Sequence, residues 1–217
     1  MMDPLRSLVD AVERAASAQE LLAATRALAQ AVGPGADPAG IASLVRVLGF
    51  NNPGAAVAAV DGLITVGADA VEPLLLGLDE HNYGARAWAV RALAGIGDVR
   101  GLSLLEQALG QDIGPSVRRA AARGLGQLRL ATLPLGERRD VRERCLVALE
   151  QGREDGEWVV RYAVAVALEG LGAPLERADP HGQRALENLR ILGHPEREPT
   201  PVVRLRAGLA LTRLGEP

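Results

Sequence analysis

Three arginines, Arg91, Arg119 and Arg123, have the residue type and the spacing that suit capture of an anionic group. A guanidinium carries its N–H donors in a planar fork, which matches a carboxylate or a phosphate with two hydrogen bonds. Arg119 and Arg123 are four residues apart, so a helix places them on one face. We expect them to bind such a group. The alternative is a solvated helix face on which they pair with Asp or Glu.

Aromatic side chains form the second group that could contact a ligand. The chain has five aromatic residues, and four of them fall in two segments, Tyr83 with Trp88 and Trp158 with Tyr162. Trp158 and Tyr162 are one helical turn apart and share a face. In a chain so poor in aromatics, this clustering predicts a stacking platform for a flat ligand. The position of Trp88 also fits a residue of the helix core.

Other kinds of site are excluded by the residues present. Lysine is absent and all 24 basic residues are arginine, so a Schiff base and a lysine-containing phosphate loop are ruled out. His81, His181 and His194 have no partners at ligand spacing, and no metal site is predicted. Cys145 lies in an amphipathic segment, where we expect a small buried side chain. The net charge of −3, without a basic tail, argues against nucleic acid.

The sequence also indicates where the chain works. A single cysteine excludes an internal disulfide and fits a reducing compartment. The N-terminus lacks a basic segment followed by an apolar core, and no uncharged apolar stretch reaches about 18 residues, the approximate minimum for a membrane span. We therefore expect a soluble, cytoplasmic protein without a membrane span.

The candidate side chains lie on a helix that the sequence repeats five times. The five windows align without a gap, each has Leu at its eighth position, and their starts are 30, 32, 43 and 43 residues apart. This spacing is typical of a two-helix solenoid repeat. The windows are 56–67, 86–97, 118–129, 161–172 and 204–215.

The repeat predicts an all-α fold, an α-solenoid of about five to six HEAT-like helical hairpins in a right-handed curved stack. We expect a single domain, with an N-terminal capping pair (1–36), core repeats (37–172) and a C-terminal repeat (173–217). Residues 130–136, which contain Pro134, are expected to form a loop. The predicted helices are 5–15, 18–32, 38–50, 53–66, 70–78, 83–96, 99–109, 115–128, 139–151, 157–171, 181–192 and 200–214.

Two positions of the repeat have different expected roles. Arginine recurs at the first position, and a feature shared by repeats is usually architectural, so we expect a ladder of charge-assisted bonds to acids or loop carbonyls of adjacent repeats. The second and sixth positions share another face and would project into a concave surface. The ladder comprises Arg86, Arg118, Arg161 and Arg204, with Asp98, Asp112 and Asp155 as candidate acceptors. The projecting pairs are Val57/Asp61, Ala87/Arg91, Arg119/Arg123, Tyr162/Val166 and Leu205/Leu209.

Four longer runs of residues are more specific than a helical repeat. Phe50–Val60, His81–Asp98, Ser116–Gly126 and Glu157–Tyr162 resemble the bilin lyase family of cyanobacteria. Within that family the chain is most similar to the F-type subunit of the heterodimeric E/F lyase that loads phycocyanobilin onto the phycocyanin α-subunit. The resemblance spans residues 47–172, and the length agrees across the whole chain.

The resemblance implies a lyase subunit of phycobilisome assembly, active with an E-type partner. Such a subunit holds an open-chain tetrapyrrole, here phycocyanobilin, as substrate and not as a prosthetic group. It delivers the bilin to a cysteine of an apo-phycobiliprotein, forming a thioether at the A-ring ethylidene. Some F-type relatives also isomerise the bilin and carry an Asn-His-Cys-Gln-Gly-Asn motif. Cys145 lies instead between Arg144 and Leu146, so isomerisation is not expected. The alternative is a non-enzymatic chaperone for phycobiliprotein folding.

Bilin chemistry suggests a role for each candidate side chain, whereas no catalytic residue is assigned. The two propionates would bind Arg91, Arg119 and Arg123, and the pyrrole N–H groups would donate to Asp61 or Glu157. Four aromatic residues would flank the rings, namely Tyr83, Trp88, Trp158 and Tyr162. Arg86 and Arg161 are further candidates for binding the bilin.

Overall fold

A computed structural model describes residues 4–77, 82–176 and 178–216. These residues form twelve α-helices, three short 3-10 turns and no strand, so the all-α prediction is confirmed. The helices are α1 (Pro4–Arg14), α2 (Ala18–Ala31), α3 (Pro38–Val47), α4 (Pro53–Val66), α5 (Val71–Leu76), α6 (Tyr83–Ile96), α7 (Leu102–Gln111), α8 (Pro115–Leu125), α9 (Leu135–Gly152), α10 (Trp158–Gly172), α11 (Pro180–Gly193) and α12 (Pro201–Arg213).

The helices pack as six successive pairs, from α1 with α2 to α11 with α12. The chain divides into two units, Met1–Asp98 with α1 to α6 and Val99–Pro217 with α7 to α12. In the first unit, the second helices α2, α4 and α6 stack in order, and in the second unit α8, α10 and α12 do the same. Stacked helical pairs are the arrangement of an α-solenoid of HEAT-like hairpins, as the repeat predicts. The expected division into a cap, a core and a C-terminal repeat remains a prediction.

The repeated windows form the second helices because their apolar stripe is buried between neighbours. Four of the eighth-position leucines, Leu63, Leu93, Leu125 and Leu168, are fully buried. Small residues bring these helices close together. A Cβ on Gly126, at the end of α8, would lie 2.3 Å from the Cα of Ala167 on α10. Only glycine permits this approach, so α8 and α10 are in direct backbone contact.

Side-chain caps fix where several helices begin. Ser17 accepts a hydrogen bond from the Glu20 amide at the start of α2. Asn52 caps α4 by accepting from the Ala55 amide, and it also donates to the Ala18 carbonyl 34 residues earlier. Asn82 does the same for α6, accepting from Ala85 and donating to the Gly49 carbonyl. These two asparagines therefore begin a helix and tie it to the preceding repeat.

Four predicted helix boundaries differ from the structure by three or four residues. Helix α3 ends at Val47 and α8 ends at Leu125, each three residues before its predicted end, and α7 begins at Leu102, three residues after its predicted start. Helix α9 begins at Leu135, four residues before the predicted start, because Pro134 directly precedes the helix and takes the N-cap position. A proline there loses no helical hydrogen bond, so the helix can follow it at once. Helix α5 begins at Val71, one residue after its predicted start, and a 3-10 turn at Gly67–Ala70 precedes it. The predicted end of α5 at Leu78 lies outside the described residues, as does His81.

One segment of the described chain is long and apolar enough to cross a membrane by length and composition alone. It runs from Pro53 to Leu76, and its best 18-residue window has a mean hydropathy of 1.5. Half of that window is buried inside the structure, and the segment consists of α4, a 3-10 turn and α5. A core helix of a helical repeat passes the same test, so this composition is weak evidence for a span.

Candidate functional site

The first-position arginines of the second unit form the predicted ladder. The Nε and Nη2 of Arg118 donate to the two carboxylate oxygens of Asp155, at 2.6 and 3.0 Å. Its Nη1 donates to the carbonyl oxygens of Asp112 and Ile113. One guanidinium thus joins the loop before its own helix to an acid of the following repeat. The expected architectural role is confirmed for Arg118, with Asp155 as a predicted acceptor.

Arg161, in the next repeat, makes contacts of the same kind. Its Nε and Nη2 donate to the carboxylate of Glu198 at 2.6 and 2.9 Å, and its Nη1 donates to the Asp155 carbonyl at 2.7 Å. Its Nη2 also donates to the hydroxyl of Thr200. Glu198 is not among the predicted acceptors. The spacing could have found it, because Glu198 follows Arg161 by 37 residues, as Asp155 follows Arg118.

The ladder carboxylates are held in their ionised form. Burial by itself raises the pKa of Asp155, but hydrogen bonds from Arg118 and the Glu157 amide outweigh it and leave the pKa below its usual value. The same holds for Glu198. Burial raises its pKa, but the hydrogen bonds from Arg161 and Thr200 have the larger effect, and the pKa is lower than its usual value. Both acids are therefore charged at neutral pH, and both are bound to guanidinium groups.

Arg119 and Arg123 differ from the ladder arginines Arg118 and Arg161 in having no partner in the part of the chain that the structure describes. Both lie exposed on α8, at the second and sixth positions of the repeat. Within the described residues, neither makes an ion pair or a hydrogen bond. The alternative in which they pair with Asp or Glu is therefore not found in that part of the chain. Two neighbouring guanidinium groups one helical turn apart remain available to an external anion.

The aromatic residues of the second unit lie on the adjacent helix. Trp158 begins α10 and exposes 46% of its surface, and Tyr162, one turn later, is half-buried. Tyr162 occupies the same repeat position on α10 as Arg119 on α8, and these two helices pack directly on each other. Glu157, immediately before α10, is exposed. Arg119, Arg123, Trp158 and Tyr162 form what we call the arginine–aromatic surface.

The first unit contains a second group of candidates on α4 and α6. The guanidinium carbon of Arg91 lies 5.1 Å from the centroid of the Trp88 ring, which is a cation–π contact. Trp88 is half-buried, so the core interpretation holds only in part. Asp61 is exposed on α4, at the position equivalent to Arg91 on the adjoining α6, and Tyr83 is exposed at the start of α6.

The candidates thus fall into two groups, one in each unit. Asp61, Tyr83, Trp88 and Arg91 lie on neighbouring helices of the first unit, whereas the arginine–aromatic surface and Glu157 belong to the second. Arg86 is half-buried on α6. Arg161 differs from the rest because protein groups occupy its Nε, Nη1 and Nη2. Its predicted contact with a bilin remains untested.

Comparisons with known proteins agree with this architecture. A family model described as HEAT repeats matches residues 71–169. The chain is 46% identical to the phycocyanin alpha phycocyanobilin lyase CpcF of Synechocystis sp., over 97% of this chain and 94% of that protein. It is also 46% identical to the bilin biosynthesis protein RpcF of Synechococcus sp., over 98% of this chain and 97% of that protein. The chain belongs to the F-type bilin lyase family.

A solved structure extends the similarity to three dimensions. This F-type chain superimposes with a TM-score of 0.70 on a chain in the complex of CpcE and CpcF of phycocyanin lyase from Nostoc sp.. The two are 38% identical, and the match covers 80% of this chain and 99% of that one. The resemblance found in the sequence runs is therefore confirmed by both sequence and fold.

The single cysteine of this F-type chain is unsuited to attack a bilin. Cys145 is fully buried in α9, and burial raises the pKa of its thiol to about 12. A thiol with that pKa is protonated at neutral pH and is a poor nucleophile. The prediction of a small buried side chain is confirmed. Among the described residues, no group of three or more His, Cys, Asp or Glu is placed to hold a metal ion.

Proposed function

We propose that this chain is the F-type subunit of a bilin lyase, which binds phycocyanobilin and delivers it to a cysteine of apo-phycocyanin, on the α-subunit. The observation that carries the proposal is the arginine–aromatic surface. Arg119 and Arg123 are exposed and unpaired within the described residues, one helix away from Trp158 and Tyr162. We assign the enzyme's action to the pair formed with an E-type subunit, in the cytoplasm, where phycobilisomes assemble.

The two arginines suit the propionates of a linear tetrapyrrole. A bilin carries two carboxylates, and Arg119 and Arg123 offer two guanidinium groups at successive turns of α8. Because neither has a protein partner in the described chain, binding a propionate breaks no existing ion pair. A charge-assisted hydrogen bond of this kind contributes about 1.5–3 kcal/mol. Arg91, stacked on Trp88 in the first unit, is a third candidate for a carboxylate.

The aromatic side chains suit the conjugated face of the pigment. Trp158 presents nearly half of its surface to solvent at the start of α10, and Tyr162 extends the same face by one turn. An exposed tryptophan gains by covering its ring, and stacking between flat π-systems adds about 0.5–1.5 kcal/mol beyond the area buried. Tyr83 and Trp88 offer a similar pair of rings on α6.

Glu157 and Asp61 are the proposed acceptors for the pyrrole N–H groups. Both carboxylates are exposed, Glu157 beside Trp158 and Asp61 on α4. An ionised carboxylate next to the pyrrole nitrogens favours the protonated, cationic tetrapyrrole. A cationic bilin is the better electrophile at its A-ring ethylidene carbon. The carboxylate would thus activate the substrate without forming a covalent bond to it.

The attacking sulfur belongs to the acceptor protein. The only cysteine of this chain is buried, with its thiol protonated, so it cannot take that role. In the proposed step the acceptor thiol adds across the ethylidene double bond: a C–S bond forms, the C=C π bond is lost, and the thiol proton ends on the bilin. No oxidant or reductant is needed. The role of this chain is to bind and orient the pigment.

Arg161 acts in this proposal by positioning. It holds the first turn of α10 against Glu198 and the Asp155 carbonyl, which fixes the helix that carries Trp158 and Tyr162. Arg86 occupies the same repeat position on α6, the helix that carries Trp88 and Arg91. We therefore assign both arginines to support of the bilin-binding helices, and assign direct contact to the exposed residues.

Binding of phycocyanobilin by the purified chain tests this proposal. We expect a shifted visible absorbance for the wild type, and affinity at least about tenfold weaker for the double variant Arg119→Ala/Arg123→Ala, since about 1.4 kcal/mol corresponds to tenfold. Arg139→Ala, an exposed arginine of α9, is the matched control and should bind like the wild type. If the double variant and the control bound phycocyanobilin with equal affinity, the assignment of Arg119 and Arg123 to the propionates would be wrong. A non-enzymatic chaperone would instead raise soluble acceptor without binding the pigment.

A further inference from the structure

The last arginine of the ladder has an empty carboxylate position. Arg204, at the first position of its window on α12, donates through Nη1 to the carbonyls of Glu198 and Pro199, at 2.7 and 2.9 Å. Arg118 makes the same carbonyl contacts with the loop before its own helix. The Nε and Nη2 of Arg204, however, have no hydrogen-bond partner in the described part of the chain. At Arg118 and Arg161, these two atoms bind a carboxylate from the following repeat.

The helix face beside Arg204 is apolar and uncovered. The fifth position of the repeat is buried in earlier windows, as Val60, Ala122 and Ala165 show, whereas Gly208 takes this position on α12. A Cβ on Gly208 would meet no atom within 4 Å. Leu205 exposes 74% of its surface, more than the 46% of Val57, which takes the same repeat position on α4. Val202 and Leu209 are also exposed, so an apolar stripe runs along α12. A contiguous exposed apolar patch is typical of a surface that binds another protein.

These features line one groove. It has a volume of about 610 Å³ and runs along α12 past Pro201, Arg204, Leu205, Gly208 and Leu209. In the second unit, the equivalent face of α8 is covered by α10, whose preceding loop supplies Asp155 to Arg118. The groove therefore has the shape and the charge of a surface that takes one more helical repeat, with an acid in the loop before its second helix.

We propose that the α12 face, defined by Val202, Arg204, Leu205, Gly208 and Leu209, binds a helical hairpin of the E-type subunit, which places a carboxylate on Arg204. The stack of helices thereby continues from one protein into another. The proposal rests on the E-type partnership proposed above and assigns it a surface. The partner is recognised by two features together, an apolar helix that packs over Gly208 and an Asp or Glu that fills the guanidinium fork.

A second copy of this chain fits the face less well. Stacked in continuation of α12, it would present the loop between α1 and α2, which consists of Ala15, Ala16 and Ser17. That loop contains no acid equivalent to Asp155 or Glu198. The acids on either side of it already have partners, because Glu13 pairs with Arg46 and Glu20 accepts a hydrogen bond from the Ala16 amide. A second copy would therefore leave the fork of Arg204 empty, and charge complementarity favours a different protein.

Two variants test the two features separately. Gly208→Gln fills the groove and replaces glycine by a better helix former, so the chain should remain folded with an equal or higher melting temperature. Arg204→Glu reverses the charge of the fork. The matched controls are Gly110→Gln, where a Cβ also meets open space, and Arg139→Glu on α9. Affinity for the E-type subunit is measured by titration, and the mass of the complex by light scattering.

We expect both test variants to weaken the complex at least about tenfold. Arg204→Glu should act mainly by speeding dissociation, because it removes one partner of a buried charge pair. Both controls should stay within about twofold of the wild-type affinity. An acid-to-arginine change in the partner that restores binding to Arg204→Glu would identify the carboxylate. Unchanged affinity of both test variants for the E-type subunit would overturn the inference. It would also be overturned if the wild-type chain and the controls formed a homodimer and the two test variants did not. Neither variant should change phycocyanobilin binding by the chain alone. If the α12 face proves not to bind the E-type subunit, the arginine–aromatic surface is still tested by the binding of phycocyanobilin to Arg119→Ala/Arg123→Ala.

Discussion

At the scale of single residues, the arginines of this chain divide into two kinds by what already occupies their donors. Arg118 and Arg161 bind Asp155 and Glu198 and hold successive repeats together. Arg119, next to Arg118 in sequence, is exposed and has no partner among the described residues. The first kind is structural and the second is available to a ligand. Because Arg118 and Arg119 are adjacent in a helix, their side chains point in directions about 100° apart and lie on different faces.

Loss of a ladder arginine should destabilise the protein strongly. The side chain of Glu198 is only 3% exposed, so Arg161→Gln leaves a buried carboxylate without its guanidinium. Breaking a buried pair by removing one partner costs about 3–5 kcal/mol. We expect a clearly lower melting temperature by calorimetry, with Arg139→Gln as the control. A melting temperature equal to that of the control would contradict the structural role of Arg161.

The ladder should also make stability depend on acid pH. The pKa values of Asp155 and Glu198 are lowered in the folded chain, whereas the unfolded values are about 3.9 and 4.3. Their stabilisation is therefore present in full above the unfolded values, and it is lost as the pH falls through the lowered folded values. Melting temperatures should fall steeply below about pH 4. The double variant Asp155→Asn/Glu198→Gln should show a shallower fall, and an equally steep one would exclude these groups as the cause.

At the scale of helices, most of the architecture could be predicted from the sequence and some of it could not. The repeated stripe of small residues and leucine fixes α4, α6, α8, α10 and α12, because a buried helix face leaves a strong periodic signal. The start of α9 was placed four residues late, since Pro134 can precede a helix as readily as it ends one. Glu198 lies in a proline-rich loop where no apolar pattern points to it, and only its spacing of 37 residues from Arg161, equal to that of Asp155 from Arg118, marks it as a partner.

Close packing of α8 on α10 should be sensitive to a single methyl group. At Gly126, a Cβ would lie 2.3 Å from the Ala167 Cα, so Gly126→Ala forces the two helices apart. Overpacking of this kind costs about 1–3 kcal/mol. Gly110→Ala, where a Cβ meets open space, should instead stabilise the chain by up to about 1 kcal/mol. Urea unfolding of both variants measures the difference, and equal stability would mean that α8 and α10 can separate without cost.

The same variant links packing to ligand binding. Arg119 and Arg123 lie on α8, and Trp158 and Tyr162 lie on α10, so their relative position depends on the contact at Gly126. A bilin held by both helices requires that position to be fixed. Gly126→Ala should therefore weaken phycocyanobilin binding although it touches none of these side chains.

At the scale of the whole molecule, the repeat supplies surfaces and the chemistry comes from other molecules. The only cysteine is buried, and the exposed arginines, aromatic rings and carboxylates can bind a pigment without reacting with it. The family could be predicted from four sequence runs, because such runs are specific to the family. For the residues proposed to contact the pigment, the sequence could indicate only a helix face. Helical spacing defines which side chains share a face, but it does not show which of them already have partners.

Thioether attachment tests the central claim most directly. The assay combines this chain, the E-type subunit, phycocyanobilin and the apo-phycocyanin α-subunit, followed by denaturation in acid urea. We predict a coloured acceptor whose pigment survives denaturation, and a rate at least about tenfold lower with Arg119→Ala/Arg123→Ala. An acceptor that stays colourless with the wild-type chain, or one coloured equally fast with the double variant, would contradict the account.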